Sequence, residues 1–191
     1  MIVGHFGFAA IVKARRTSIP LWILMFASVW LDIVFVPLFL MGMETMEPLN
    51  GKPGYGREII HAEYTHSLIG MLVLSGILAL VCCPRWGLRS AYVIGFTASS
   101  HWLLNLTVHR SDIPILPGSV WNLPLLGFGL WRMPVLSAGL EMALILGGAW
   151  TYWRAARPLS SMSRRSSLFG AAAAIMIAIS GLLVLVLDLT S

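Results

Sequence analysis

Residues 64–83 read YTHSLIGMLVLSGILALVCC, and this stretch decides the class of fold. As a helix rising about 1.5 Å per residue, it is long enough to cross roughly 30 Å of membrane hydrocarbon. The sequence therefore predicts an all-α, polytopic membrane helical bundle that forms a single domain over residues 1–191. The five predicted transmembrane helices cover residues 20–43, 64–83, 91–108, 133–153 and 167–187, and a short N-terminal membrane helix covers residues 1–12.

The composition agrees with a membrane protein, since 58% of the residues are hydrophobic and 11% are charged. A soluble domain carries about 25% charged residues. The net charge of +5 is better explained by orientation in the bilayer than by a nucleic-acid partner. If residues 13–16 lie inside, the positive-inside pattern holds and the C-terminus is predicted outside. The inner basic residues are then Lys13, Arg15, Arg16, Arg85, Arg89, Arg154, Arg157, Arg164 and Arg165, and the outer ones are Lys52, Arg57, Arg110 and Arg132.

The connecting segments differ in character. Residues 43–59 are polar and rich in proline and glycine, which predicts an outer loop. Residues 110–132 are apolar but contain several prolines, so we expect an irregular segment instead of a continuous helix. The adjacent Cys82 and Cys83 are interpreted as free thiols.

A few polar side chains interrupt the predicted membrane segments, where an ionisable group is costly and usually faces a cavity. Counting along each helix at about 1.5 Å per residue places them all between mid-membrane and the outer third. Taken singly, each could be a hydrogen bond between helices. Taken together, they predict one polar site in the outer half of the bilayer, built from some of His5, Asp32, His66, His101, Asn105 and Glu141.

Imidazoles together with a carboxylate are the ligand set of a catalytic zinc, which keeps one position open for water. We predict a divalent metal, with zinc as the expected ion, held by His5, Asp32, His66 and His101. Glu63 and Glu141 are the candidate catalytic residues, because a nearby glutamate can transfer protons. The candidate supporting residues around the ligands are His61, Ser99, Ser100, Asn105 and His109.

Four segments in order carry a family resemblance: Gly4-His5, Leu31-Asp32, HAEYTHSL at residues 61–68 and SHWLLNLTVHR at residues 100–110. Over roughly the first 115 residues, the chain resembles the membrane-bound metal-dependent hydrolases that are also described as LexA-binding inner-membrane hydrolases. The resemblance implies a small helical protein of a bacterial-type inner (plasma) membrane, with a metal site and a hydrolase activity.

Two positions depart from the pattern of that family. Asn105 stands where the family has an aspartate after its SHxxx segment, and an amide is a poorer metal ligand than a carboxylate. Val34 and Phe35 stand where the family has a second carboxylate and a histidine. The resemblance is therefore also compatible with a non-catalytic relative.

Three functional hypotheses follow from these observations. The leading one is a metal-dependent hydrolase that acts on a lipid or lipid-like substrate reaching the site from the bilayer or the outer surface. The second is a haem-binding electron-transfer subunit, with His66 and His101 as axial ligands. The third is an accessory or structural subunit of a larger membrane complex, with partner subunits and a decayed site.

Overall fold

The computed structural model describes residues 1–15, 18–49, 56–156 and 164–190. The protein is mostly helical, which agrees with the predicted all-α class. Three of the basic residues used for the orientation argument, Arg16, Lys52 and Arg157, lie outside the described residues. The described elements are α1 (Ile2–Arg15), α2 (Leu21–Ser28), α3 (Trp30–Leu40), β1 (Thr45–Pro48), β2 (Glu58–His61), α4 (Leu68–Val108), α5 (Pro134–Ala156) and α6 (Arg164–Thr190).

Among the described residues, three helical stretches are long and apolar enough to cross a membrane: α4, α5 and the part of α6 from Gly170 to Leu187. Helices α2 and α3 would add a fourth crossing if together they form one span, although they are bent by 47° at a break. These findings are compatible with a membrane protein. They do not support the predicted count of five spans plus one short helix, because one predicted span is broken and two others belong to a single helical element.

Helix α4 is interrupted at Gly87, whose φ of 76° and ψ of 163° are not helical. It therefore has a first arm at residues 68–86 and a second arm at residues 88–108. The arms contact each other, since a Cβ atom added to Gly95 would lie 3.0 Å from the Cβ of Ala79. The predicted spans 64–83 and 91–108 correspond to these two arms. The first arm begins later than predicted, because the Ser67 hydroxyl accepts a hydrogen bond from Gly70 N and caps the helix.

The predicted span 20–43 is divided at Val29, which has a φ of −118° and a ψ of 15°. No proline or glycine lies at this position, so the usual local signal for a broken helix is missing. Helical hydrogen bonding resumes with Ile33 N and Val29 O at 3.0 Å. The break directs the main-chain carbonyl at the end of α2 and the first turn of α3 toward the arms of α4.

Helix α1 packs between the other helices and crosses α5 very closely. A Cβ atom at Gly7 would overlap the main chain of Leu144, and one at Gly148 would overlap the carbonyl oxygen of Gly7. Small residues allow this backbone contact, as in many helix pairs within membranes. One buried apolar cluster joins α1, α2 and both arms of α4, and a second joins α1, α5 and α6.

Two segments outside the helices cover one end of the bundle. The predicted outer loop at residues 43–59 contains β1 and the start of β2, which pair antiparallel with Thr45 opposite His61, and residues 50–55 of this loop lie outside the described residues. Residues 110–132 contain no α-helix, which confirms the prediction of an irregular segment. The main-chain N–H groups of Leu68 and Ile69 donate to the carbonyls of Pro114 and Ile115, so this segment is fastened to the start of α4.

Candidate metal centre

Three predicted ligands meet at one point. The Nε2 atoms of His66 and His101 are 3.2 Å apart, and each lies within 3.4 Å of Asp32 Oδ1. Within the described ranges, this is the one group of three or more histidine, cysteine or acidic side chains whose ligand atoms all lie within 4.8 Å of one another. Asp32, His66 and His101 therefore lie close enough to hold a metal ion.

The three separations match the spacing around a small tetrahedral ion. Ligand atoms that bind one zinc at about 2.0–2.1 Å lie roughly 3.3–3.4 Å from one another. The observed separations are 3.2, 3.3 and 3.4 Å. A carboxylate and two imidazoles also form one of the usual donor sets of a catalytic zinc with an open position. The residues present therefore fit such an ion in both distance and chemistry.

The ring orientation of His101 is set by the break between α2 and α3. Its Nδ1 atom lies 2.8 Å from the main-chain oxygen of Ser28. A carbonyl oxygen can only accept, so Nδ1 must carry the proton and donate it. In the neutral ring, the Nε2 atom of His101 then carries no proton and presents its lone pair on the side of Asp32, His66 and the Asn105 amide.

His66 is oriented by a chain of two hydrogen bonds that ends at a buried carboxylate. The Thr65 hydroxyl donates to Glu44, at 2.9 Å from Oε2, and its oxygen lies 2.8 Å from His66 Nδ1. Because the hydroxyl proton is directed to Glu44, the oxygen accepts from the N–H at His66 Nδ1. The Nε2 atom of His66 therefore also presents a lone pair to the group. Trp102 holds the His66 main chain by donating from Nε1 to its carbonyl oxygen at 2.7 Å.

Asn105 and His5 lie beside the three ligands. Asn105 Nδ2 is 3.0 Å from His101 Nε2, and Asn105 Oδ1 is 3.2 Å from His5 Nε2. The His5 ring stacks on the His101 ring with centroids 3.8 Å apart. The sequence predicts His5 as a fourth ligand, but the structure places it against the face of His101 and outside the group of three.

Both candidate catalytic residues lie outside the group of three as well. Glu141 is fully buried in α5, and Glu63 lies in the turn that precedes α4. The proton-transfer roles predicted for them stay predictions.

The other predicted supporting residues have different surroundings. The hydroxyl groups of Ser99 and Ser100 donate to main-chain oxygens within the second arm of α4. His61 lies on the β-hairpin, where its side chain is 45% exposed and 3.8 Å from a carboxylate oxygen of Glu47. These contacts tie none of the three to the ligands.

His109 follows the last residue of α4 and belongs to a separate buried cluster. Its Nδ1 atom lies 3.0 Å from Asp112 Oδ1, and its ring packs against Trp131 with centroids 4.3 Å apart. Burial lowers the pKa of His109 below its ordinary value, and the Asp112 carboxylate opposes this shift without cancelling it. His109 therefore anchors residues 110–132 to the helix end.

The spacing of His66 and His101 does not suit the haem hypothesis. Two axial imidazoles on opposite sides of an iron need roughly 4 Å between their nitrogen atoms, with a porphyrin plane between the rings. The observed separation is 3.2 Å, and Asp32 occupies the third corner of the same triangle. A small ion that binds all three side chains fits the distances better.

Sequence reasoning missed three groups that orient the ligands: Glu44, the Thr65 hydroxyl and the Ser28 carbonyl. Thr65 could have been noticed, because it precedes His66 in the THS tripeptide of the predicted motif. Glu44 lies 21 residues from Thr65 in a loop, and no periodicity connects the two. The Ser28 carbonyl is available because of a helix break that no local residue signals.

Comparisons with family models, with curated proteins and with solved structures found no match to this chain. The resemblance to the inner-membrane hydrolases stays a prediction, and the candidate metal centre is inferred from the distances between its side chains.

Proposed function

We propose that the protein is a membrane-embedded, metal-dependent hydrolase whose ion is bound by Asp32, His66 and His101. The observation that carries this proposal is the triangle of three acceptor atoms at 3.2 to 3.4 Å. Each histidine Nδ1 lies against an oxygen, so in the neutral imidazoles neither Nε2 carries a proton, and the Asn105 amide is the donor that lies beside His101 Nε2. Three facing lone pairs repel one another unless a proton or a metal ion lies among them, and a metal ion can bind all three atoms at once, which supports a metal ion in the working protein.

The surroundings of Asp32 support a lipid-like substrate. The Asp32 side chain is 35% exposed, whereas those of His66 and His101 are 6% and 1% exposed. The same helix exposes the apolar side chains of Ile33 and Val36. A substrate that approaches the ion past Asp32 would therefore meet an apolar helix surface first. This surface favours a molecule with hydrocarbon chains over a small polar solute.

The chemistry expected of such a centre is hydrolysis. When bound by three protein ligands, zinc lowers the pKa of a bound water to about 7 and polarises a carbonyl or phosphoryl oxygen. Asp32 supplies the negative charge of the ligand set, and His66 and His101 hold their lone pairs toward one point. The amide nitrogen of Asn105 lies 3.0 Å from His101 Nε2, so this side chain is placed to orient a substrate oxygen.

Metal content is the first test. The full chain, purified in lipid nanodiscs, is stripped with a chelator, reloaded with zinc and measured by mass spectrometry. We expect about one zinc per chain in the wild type and a loss of it in Asp32→Ala, His66→Ala and His101→Ala. Glu47→Gln, which changes a carboxylate of the hairpin that is 69% exposed, is the matched control. A wild type that binds no zinc, or three variants that all retain it, would contradict the metal centre.

Hydrolysis is a separate test with the same samples. Zinc-loaded protein is incubated with a mixed phospholipid extract, and released headgroups and fatty acids are measured by mass spectrometry. We expect turnover that depends on zinc and disappears in Asp32→Ala. A protein that binds zinc at this group but releases no product from the extract would contradict the proposed lipid hydrolase and leave the metal centre standing.

A further inference from the structure

We infer that Glu44 is a positioning residue of the metal centre, and that it sets the tautomer of His66 through the hydroxyl of Thr65. Glu44 touches neither the three ligand atoms nor the point between them in the described contacts. This inference rests on the proposed metal centre, and it adds a group whose effect reaches the ion through two hydrogen bonds.

Glu44 is held firmly enough to direct the Thr65 hydroxyl. Its side chain is buried, with 1% of the residue exposed. Its Oε1 atom accepts from the main-chain N–H groups of Tyr64 and Thr65 at 2.9 and 2.8 Å. Its Oε2 atom lies 2.9 Å from the Thr65 hydroxyl oxygen. A carboxylate can only accept, so the hydroxyl proton of Thr65 points to Glu44.

The position of that proton decides which nitrogen of His66 is free. With its proton on the side of Glu44, the Thr65 oxygen offers a lone pair to His66 Nδ1 at 2.8 Å. The neutral imidazole then carries its proton on Nδ1 and leaves Nε2 bare. The bare Nε2 is the atom that faces His101 and Asp32. An outer group that fixes the tautomer in this way typically changes metal affinity by about 10- to 100-fold.

Glu44→Gln is expected to reverse the direction of the two hydrogen bonds that connect residue 44 to His66, while it keeps the shape of the side chain. The amide oxygen of the new side chain takes the place of Oε1, because that position faces two main-chain donors. The amide nitrogen then takes the place of Oε2 and donates to the Thr65 oxygen. The Thr65 proton then has two acceptor positions, Oε1 of residue 44 at 3.1 Å and His66 Nδ1 at 2.8 Å, and we expect it to turn to the nearer one, His66 Nδ1. His66 then carries its own proton on Nε2, where it blocks the lone pair that the metal needs.

The tautomer is measured directly by nitrogen-15 NMR on metal-free protein in nanodiscs, with labelled histidine. Loss of one signal set in His66→Ala assigns the ring. We expect Nδ1–H in the wild type and in Glu47→Gln, and Nε2–H in Glu44→Gln. Zinc affinity should fall about 10- to 100-fold in Glu44→Gln and stay at the wild-type value in Glu47→Gln. An unchanged His66 tautomer in Glu44→Gln, or an unchanged zinc affinity, would overturn the inference.

A second pair of variants keeps the test decisive if Glu44→Gln does not fold. Thr65→Ser retains the hydroxyl, and Thr65→Val removes it at nearly the same volume. We expect Thr65→Ser to bind zinc like the wild type, and Thr65→Val to bind it more weakly by about tenfold or more. Equal affinities in the two variants would also overturn the inference. If the wild type binds no zinc, the proposed function fails. The tautomers of the metal-free proteins still test whether the hydrogen bonds from Glu44 through Thr65 set the proton of His66.

Discussion

His101 Nδ1 donates a hydrogen bond to the main-chain oxygen of Ser28 at 2.8 Å, and the two residues are 73 positions apart. This contact joins the second arm of α4 to the end of α2. The helix is broken at the next residue, Val29, so the carbonyl is directed to a side chain of another helix. The same break places Asp32 in the first turn of α3, opposite the bare nitrogen of His101. One irregularity in the backbone therefore positions two ligands of the candidate centre.

Asn105→Asp should strengthen metal binding. Asn105 Nδ2 lies 3.0 Å from His101 Nε2, and a carboxylate there would place a second negative charge beside the ion. We expect zinc affinity to rise by about tenfold or more, because a charged oxygen is a better ligand than an amide. Competition with a chromogenic chelator gives the affinity.

The same variant should also become more dependent on zinc for its stability, since without the ion the two neighbouring carboxylates of residues 32 and 105 repel each other. Thermal unfolding in detergent with and without zinc measures this difference. Asn105→Ala is the matched control, because it removes the amide without adding charge. An affinity for zinc in Asn105→Asp that is no higher than that of Asn105→Ala would show that Asn105 does not face the ion.

Gly148→Ala should weaken the contact between α1 and α5. The added Cβ would overlap the carbonyl oxygen of Gly7, which belongs to backbone and cannot move aside. Overpacking of this kind typically costs about 1–3 kcal/mol. The free energy of unfolding in mixed detergent micelles is the measurement.

The neighbouring glycine of the same helix is a matched control for this effect. A Cβ added to Gly147 would have no neighbour within 4 Å. Alanine favours a helix over glycine by up to about 1 kcal/mol, so Gly147→Ala should leave the stability unchanged or raise it. Equal losses in the two variants would mean that the close crossing at Gly7 does not determine the stability.

Gly87→Ala should strain the turn between the arms of α4. Gly87 has a φ of 76° and a ψ of 163°, a backbone conformation that residues other than glycine rarely adopt. Holding alanine there costs about 1–3 kcal/mol, although its Cβ would meet no neighbour within 4 Å. The loss therefore comes from backbone conformation alone and is measured as a lower unfolding midpoint.

A glycine inside the first arm provides the comparison for Gly87. Gly76 is helical, and its added Cβ would also meet no neighbour within 4 Å. Gly76→Ala is expected to be neutral or stabilising, so the difference between the variants isolates the effect of the turn. If Gly87→Ala unfolds at the same midpoint as Gly76→Ala, the chain does not need a left-handed residue at position 87.

His109 should make the protein less stable in acid. Its ordinary pKa is 6.5, and burial lowers the pKa in the folded protein. As the pH falls through about 6.5, the unfolded chain takes up a proton that the folded chain does not bind, so the free energy of unfolding decreases. His109→Gln removes this group. The difference in unfolding free energy between neutral and mildly acidic pH should therefore be smaller in the variant than in the wild type, and an equal difference would contradict the prediction.

The sequence predicts that the chain has apolar helices long enough to cross a membrane, and it predicts the three residues that form the candidate metal centre. Apolar length alone indicates helices that can cross a bilayer, because the thickness of hydrocarbon fixes the number of residues required. The rarity of charge in such segments singled out Asp32, His66 and His101, because burying an ionisable side chain in hydrocarbon is costly. The sequence also predicts His5 as a ligand, because helix spacing gives the depth of a residue in the membrane but not the direction in which its ring points.

Amino-acid sequence by itself determined which stretches are apolar, where residues 110–132 must be irregular, and which polar groups interrupt the helices. These properties are local, because they follow from side-chain hydropathy and from the fixed geometry of proline and glycine. Only the tertiary structure decided that α2 and α3 part at Val29 and that His5 stacks on His101. It also decided that Glu44 reaches Thr65 from a distant loop. Hydrogen bonds between groups far apart in sequence depend on how the helices pack, and no spacing within the chain encodes them.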